Sequence, residues 1–322
     1  ATLKADQHTA GSATETAYVK VYVDGVLSKD IALPETATEI TLASGLTQAE
    51  HTIKVIKRTS GYYTLAELSK IQLDTGSEIR QTQKYYERKM LFIGDNLTIG
   101  YGSMVTNANV AAGSVPKYST AIEDSTISYA GLTADYFGAE NMTIGLAGGR
   151  GIVKNNGGST THTAPRFFEY LDYRAKRDVA YDHTQYDPDV VVINLGNYDE
   201  NAGVSAEDFR FRCRNFIRQV RAAYPNAKIV YAYGFCANSY AATIQDVIAE
   251  LNNAGDRDIY YTALTSISAA EKGVSGHPTK EAHVARSKQL IAAVEKITGW
   301  TGANTAGNPV ASGLDTSYEP ME

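Results

Sequence analysis

Along the first eighty residues, apolar and polar positions alternate with the period of two that belongs to strands. In Tyr18-Val19-Lys20-Val21-Tyr22-Val23 the valines share one face, and Asp24-Gly25 follows as a hairpin signal. The pattern returns at 31–33, 39–42, 52–57 and 68–73, with Pro34, Gly45 and Gly61 as punctuation. No long helix is needed before residue 84. This third therefore predicts an antiparallel β-sandwich or jelly-roll. Residues 1–17 are small, polar and weakly patterned, and predict no strand at the start.

From residue 89 the period changes. Apolar runs at 90–93, 142–146, 190–195, 228–233 and 259–264 now alternate with amphipathic helices. Val190-Val191-Val192-Ile193 is apolar on both faces, as a central parallel strand should be. Helices are predicted over 125–138, 205–224, 240–254 and 279–297, the last starting after Pro278, a residue suited to a first helical turn. Phe209, Cys213, Phe216, Val220 and Tyr224 recur at helical spacing, and Gly255 closes the third helix. Such alternation means an α/β domain with a parallel sheet covered on both faces. The chain thus divides into a sandwich at 1–82, an α/β domain at 83–300 and an extended tail at 301–322 rich in small residues.

Composition narrows the partners. The net charge of −6 offers phosphates no footprint, which argues against nucleic acid. No apolar run approaches the roughly 20 residues of a membrane helix. The chain begins at Ala1 with no signal peptide, as a processed or trimmed secreted protein would. The 22 tyrosines against 8 phenylalanines suit a sugar-binding or protein-binding surface, and also the edges of ordinary cores. Homo-oligomerisation and an extracellular assembly both remain open. Cys213 and Cys236 read as two separate thiols, and no spacing of His162, His183 or other residues suggests a metal site. No cofactor is expected; the glycines near 148–151 lack dinucleotide-loop spacing. Asn96-Leu97-Thr98 and Asn141-Met142-Thr143 match the glycosylation triplet, a frequent chance match.

Three polar loops follow strand ends and converge at one sheet edge, where open α/β sheets place their chemistry. They are Gly94-Asp95-Asn96, Gly148-Gly149-Arg150-Gly151 and Gly196-Asn197-Tyr198-Asp199; Gly276-His277-Pro278 precedes the last helix. Carboxamides and glycine amides around one base are the equipment of an oxyanion site for acyl transfer, lacking only a nucleophile. Asp95 and Asp199 read as pins for their turns, and His283 as structural.

The stretch from Phe92 to Gly102, with Gly94-Asp95-Asn96 at its tip, resembles the first block of the SGNH (GDSL-type) hydrolases. Ser128-Tyr129-Ala130 and Gly149-Arg150-Gly151 resemble the stretch carrying the second block, the approach from Asp187 to Gly196 the third, and Gly276-His277-Pro278-Thr279 with His283 the fifth. With the sandwich in front, the chain is most similar to carbohydrate esterase family two, acetyl esterases that join a jelly-roll to a flavodoxin-like SGNH domain. The resemblance implies that His277 is the general base and that Gly149, or Gly151, is the amide donor of the oxyanion site. It also implies a Ser at position 96 and an oxyanion Asn at position 198. This chain has Asn96 and Tyr198 there, and Ser275 and Val274 where an acid often orients the His.

A carboxamide nitrogen has no usable lone pair, and loss of an activated nucleophile costs several orders of magnitude in rate. Departures at independent positions point to a catalytically impaired relative that keeps its cleft for an acetylated polysaccharide, another glycan or a partner. The alternative is an active O-acetyl esterase, or an engineered nucleophile variant of one, using His277. Rescue would require Thr98 or Ser103 as a displaced nucleophile, or Asn197 turned inward as the oxyanion donor.

Overall fold

The computed structural model describes residues 1–7, 15–80, 86–172, 179–303 and 309–310. In the small domain the strands are β1 (Thr2–Gln7), β2 (Tyr18–Val23), β3 (Val26–Ala32), β4 (Thr38–Glu39), β5 (Ile53–Lys57) and β6 (Thr64–Lys70). They form two antiparallel sheets, ordered β4-β1-β6 and β3-β2-β5. Leu3, Ala5, Ala17, Val19 and Leu33 fill the space between them. The expectation of no strand near the start is corrected. Leu3 and Ala5 alternate inward and β1 pairs with β6 over its whole length, a long-range contact that a weak local pattern does not announce. The strand expected at 39–42 shrinks to Thr38–Glu39, and the one expected at 68–73 begins earlier, at Thr64.

The larger domain continues with β7 (Lys89–Gly94), α1 (Asn107–Ala111), α2 (Tyr129–Tyr136), β8 (Glu140–Gly145) and α3 (Ala164–Phe167). A short hairpin, β9 (Tyr170–Asp172) and β10 (Val179–Ala180), precedes β11 (Val190–Asn194) and α4 (Asn197–Asn201). The chain then runs through α5 (Ala206–Ala223), β12 (Lys228–Tyr233), α6 (Ala241–Asn253), β13 (Ile259–Ala263) and α7 (Lys280–Thr298). The five parallel strands lie in the order β13-β12-β11-β7-β8, the flavodoxin-like arrangement.

Because successive strand residues face opposite sides, each strand feeds two cores. Leu91, Ile93, Val191 and Ile193 pack with Phe209, Phe216 and Val220 of α5 and Val247 of α6. Met90, Phe92, Val190 and Val192 pack on the other face with Tyr129 and Leu132 of α2 and Leu290 and Val294 of α7. Helix ends follow local chemistry. Ser205 caps α5 by accepting from the Asp208 amide, Thr279 caps α7, and Gly299 closes α7 at φ +74°. Pro278 stands just outside that helix. Most of the expected tail, 304–308 and 311–322, lies outside the described residues. Within them, Val310 is buried in the second core.

Strand order reverses between β7 and β11, so the crevice at their carboxyl ends is where this sheet places a ligand. The pairing Asn194↔Gly94 brings the two loops that follow, 95–98 and 196–199, side by side.

Candidate functional site

Gly94 ends β7 where a Cβ would lie 1.9 Å from Thr98 Oγ1 and 3.1 Å from the Asn194 carbonyl, so only glycine lets the turn fold back so tightly. The next residue, Asp95, is fully buried; Oδ1 accepts from the Leu97 amide (3.0 Å) and Oδ2 from Asn197 Nδ2 (3.4 Å). Burial pushes its carboxyl up to about 7 against these hydrogen bonds.

The turn presents Asn96 to the crevice. Its Oδ1 accepts from the Gly149 amide at 3.1 Å, and its Nδ2 donates to His277 Nε2 at 3.0 Å. Tyr198 Oη also donates to His277 Nε2, again at 3.0 Å. With two donors on Nε2, the proton of a neutral ring belongs on Nδ1, which faces the Val274 carbonyl at 3.2 Å. Burial holds this imidazole down at about 4, partly opposed by that carbonyl, so it is neutral near pH 7. A backbone carbonyl thus occupies the orienting role that an acid fills in many Ser-His sites.

The loop carrying Gly149 is held from below. Asp199 accepts from the amides of Ile152, Val153 and Lys154 at 2.7–2.8 Å. Gly149 sits at φ +67°, and a Cβ there would lie 2.7 Å from Tyr198 Cε1. The Tyr198 ring therefore packs directly on the donor glycine.

Of the residues singled out by sequence, Asn96, Gly149, Tyr198 and His277 meet. Others do not. The Gly151 amide is spent on Asn155 Oδ1 (3.3 Å), which separates it from Gly149 as donor. Asn197 points back at Asp95 rather than inward. Thr98 is buried against Tyr129 Oη (2.9 Å) and Ser103 against the Asp124 carbonyl (2.9 Å); neither hydroxyl touches His277. His283 is buried and accepts from the Tyr129 amide (3.1 Å), while His183 stacks on Phe168 and bonds Tyr224 Oη (2.8 Å). Cys213 is buried and Cys236 exposed, both free. Among the described residues no helix is long and apolar enough to cross a membrane.

Sequence reasoning missed the aromatic wall of the crevice. Tyr101 stacks on Tyr118 (3.8 Å between centroids, 2° between planes) and lies 4.4 Å from the His277 ring. Tyr63 packs on Tyr118, and Tyr62 stands edge-on to Tyr63. Tyr62 and Tyr63 come from the small domain, so the wall spans both. The tyrosine excess was the available signal, but no periodicity marks residues 112–119 as wall-forming.

Comparison with known proteins agrees with this architecture. Residues 92–290 match the GDSL-like lipase/acylhydrolase family, and residues 2–82 match the carbohydrate esterase 2 N-terminal domain. A cellulase/esterase of Acetivibrio thermocellus is 28% identical over 88% of this chain; the match spans only 34% of that relative's length. An acetylxylan esterase/glucomannan deacetylase of Cellvibrio japonicus is 23% identical over 90% of this chain and 79% of its own length. An active-site mutant of a family two carbohydrate esterase from Clostridium thermocellum superimposes with a TM-score of 0.80 at 25% identity, covering 93% of this chain and 88% of that one. The sandwich falls within the second family match and the parallel sheet with its crevice within the first, and the chain belongs to the GDSL-like lipase/acylhydrolase family, carrying the carbohydrate esterase 2 N-terminal domain.

Proposed function

We propose that this protein is a catalytically silent member of the carbohydrate esterase type that uses its crevice to bind glycan, an acetylated polysaccharide being the first candidate. One observation carries the reading. The Asn96 carboxamide takes both the Gly149 amide, the donor an oxyanion would need, and the Nε2 of His277, the base a nucleophile would need. No Ser, Thr or Cys hydroxyl or thiol among the described residues bonds to that base. Loss of a nucleophile costs about 10⁴–10⁶ in rate, more than any single oxyanion donor contributes, so position 96 dominates the outcome. The relatives supply the ligand class: one is an acetylxylan esterase/glucomannan deacetylase, and a family two esterase was solved with cellohexaose. Plant-type polysaccharides lie outside cells, so the reading also places the protein there.

The second reading is an O-acetyl esterase whose only lesion is Asn96, and the poised His277 favours it. Hydrolysis of p-nitrophenyl acetate and acetylated xylan by the unmodified chain and by Asn96→Ser decides between them. We expect no turnover above background by the unmodified chain; turnover there defeats the proposal. Turnover appearing only in Asn96→Ser assigns the loss to that one residue.

A further inference from the structure

Arg150 follows the donor Gly149 and stands at the crevice mouth. Its Nε donates to the Ala147 carbonyl (3.1 Å), and its guanidinium lies over the Tyr62 ring at 5.4 Å. A side chain at Gly148 would meet Arg150 Nη2 at 3.3 Å and Tyr62 Oη at 3.4 Å, which places both groups beside the exposed loop tip. Neither terminal nitrogen of Arg150 has a hydrogen-bond partner among the described residues. That is unusual here. Arg58, Arg210, Arg214, Arg221 and Arg286, all at least partly buried, each face a carboxylate. Arg88 bonds the carbonyls of Phe137 and Thr301 instead.

The carboxylates around the crevice do not neutralise Arg150. Asp95 is fully buried, Asp199 is tied to three amides, and Glu123 is buried against Tyr118 Oη and the Ser60 amide. Burial raises the pKa of Tyr63 and Tyr101, the Glu15 charge adding a smaller push, and Glu15 makes no ion pair with Arg150. What remains at the mouth is a guanidinium fork over a tyrosine ring, its Nε tied to the Ala147 carbonyl and its two terminal nitrogens free to meet a carboxylate in two-point fashion. The Nε hydrogen bond and the cation–π contact with the ring limit its rotamers, so less entropy is lost when an anion docks.

We infer that Arg150 selects glycans bearing a carboxylate, a hexuronic acid residue seated beside the sugar that enters the crevice. The inference rests on the glycan-binding reading and adds a charge requirement to it. The test is titration calorimetry at physiological ionic strength with two probes: a xylo-oligosaccharide carrying a glucuronic acid branch, and the same oligosaccharide with its carboxyl reduced to the alcohol. The charged probe should bind on the order of tenfold tighter, as a charge-assisted two-point contact implies. Arg150→Met, which keeps the stem on Tyr62, should bind both probes equally. Arg212→Met, on the exposed face of α5, should keep the preference and so control for net charge. Equal binding of both probes by the unmodified chain overturns the inference and leaves glycan binding standing. Binding of neither probe overturns both. Arg150→Met weakening both probes alike while lowering the melting temperature makes Arg150 a clasp between the domains, and also overturns it.

Discussion

Asn96 and His277 sit 3.0 Å apart, Nδ2 to Nε2, and the distance has a chemical meaning. The carboxamide N–H stands where a nucleophile's O–H would point at its base. The carboxamide oxygen stands where an ester carbonyl would meet the Gly149 amide, at 3.1 Å. One side chain stands in for hydroxyl and carbonyl together, and the Gly149 amide and His277 Nε2 are occupied from within. A serine at position 96 would be too short to reach both partners, so the replacement frees the Gly149 amide as well as supplying a hydroxyl.

The first prediction follows from Tyr198. The family resemblance implies a carboxamide offered to the oxyanion at this position, whereas Tyr198 turns its hydroxyl to His277 Nε2 (3.0 Å) and competes for the lone pair a base would need. In an Asn96→Ser background, Tyr198→Asn should therefore raise kcat/KM for p-nitrophenyl acetate by about 10²–10³, the usual worth of one oxyanion donor. Tyr198→Phe, which frees the base without adding a donor, should give less. A double variant no faster than Asn96→Ser would show that Tyr198 does not hold back the site.

Acid stability gives the second. His277 and His283 are held by burial at about 4 and about 3, below the ordinary 6.5. The unfolded chain binds these protons first, so their contribution is fully present above about 6.5 and is lost as pH falls through 4 and toward 3. Asp95 runs the other way. Raised to about 7 by burial, it holds its proton more tightly when folded, so its contribution declines as pH rises from about 4 to 7. Glu123 and Asp199 are raised by burial as well and pull in the direction of Asp95, so the histidines' share is a downward slope in melting temperature from pH 7 to pH 4.5 superposed on the acids' opposite one. His283→Asn keeps an acceptor for the Tyr129 amide while removing the titrating ring, and should flatten that slope. An unchanged slope in that variant would mean His283 does not carry it.

Much of this architecture could be read from the chain, and the unread part has a pattern. The run Val190-Val191-Val192-Ile193 announces a strand buried on both faces, and the spacing of Phe209, Cys213, Phe216 and Val220 announces α5; both are local signals with strong periods. Strand β1 was missed because its evidence is a partner more than fifty residues away, β6. The meeting of Asn96, Gly149, Tyr198 and His277 was legible only through motif order, since four separate segments contribute. The preference for Gly149 over Gly151 comes from motif order alone, and its physical ground is visible only in the structure. It depends on which amide Asn155 takes: Asn155-Asn156-Gly157-Gly158 announces a turn but not that Asn155 folds back onto the Gly151 amide. The tyrosine wall likewise needs the small domain to be placed before Tyr62 can approach Gly148.

Gly149 gives a third prediction. It adopts φ +67°, and an added Cβ would sit 2.7 Å from both Asn156 Cβ and Tyr198 Cε1. Gly149→Ala should cost about 1–3 kcal/mol through backbone strain and displaced neighbours. The melting temperature should drop by several degrees, and near-ultraviolet circular dichroism should report a moved Tyr198. Gly158→Ala, also at positive φ but in open space, should cost less. Equal effects would mean that conformation alone matters and that the ring contact contributes nothing.

Arg58 links the two domains and supplies the last prediction. It is 2% exposed, pairs with Asp30 at 2.9 Å, and lies over the Tyr18 ring at 4.3 Å. Its terminal nitrogens reach into the larger domain, donating to the carbonyls of Thr120, Ala121 and Glu123. Beside it, Lys20 pairs with Asp124 at 2.5 Å, and Asp124 in turn holds the hydroxyl of Ser103 through its carbonyl. The loop fixed this way carries Tyr118, the ring stacked on Tyr101 beside His277. Removing one partner of such a network leaves buried carbonyls unpaired and costs about 3 kcal/mol or more. Arg58→Met should therefore lower the melting temperature and split a single calorimetric transition into two, the smaller from the sandwich. It should also weaken oligosaccharide binding, because the tyrosine wall loses its support. One unsplit transition with binding intact would show that the small domain is a passive neighbour of the crevice and not part of its frame.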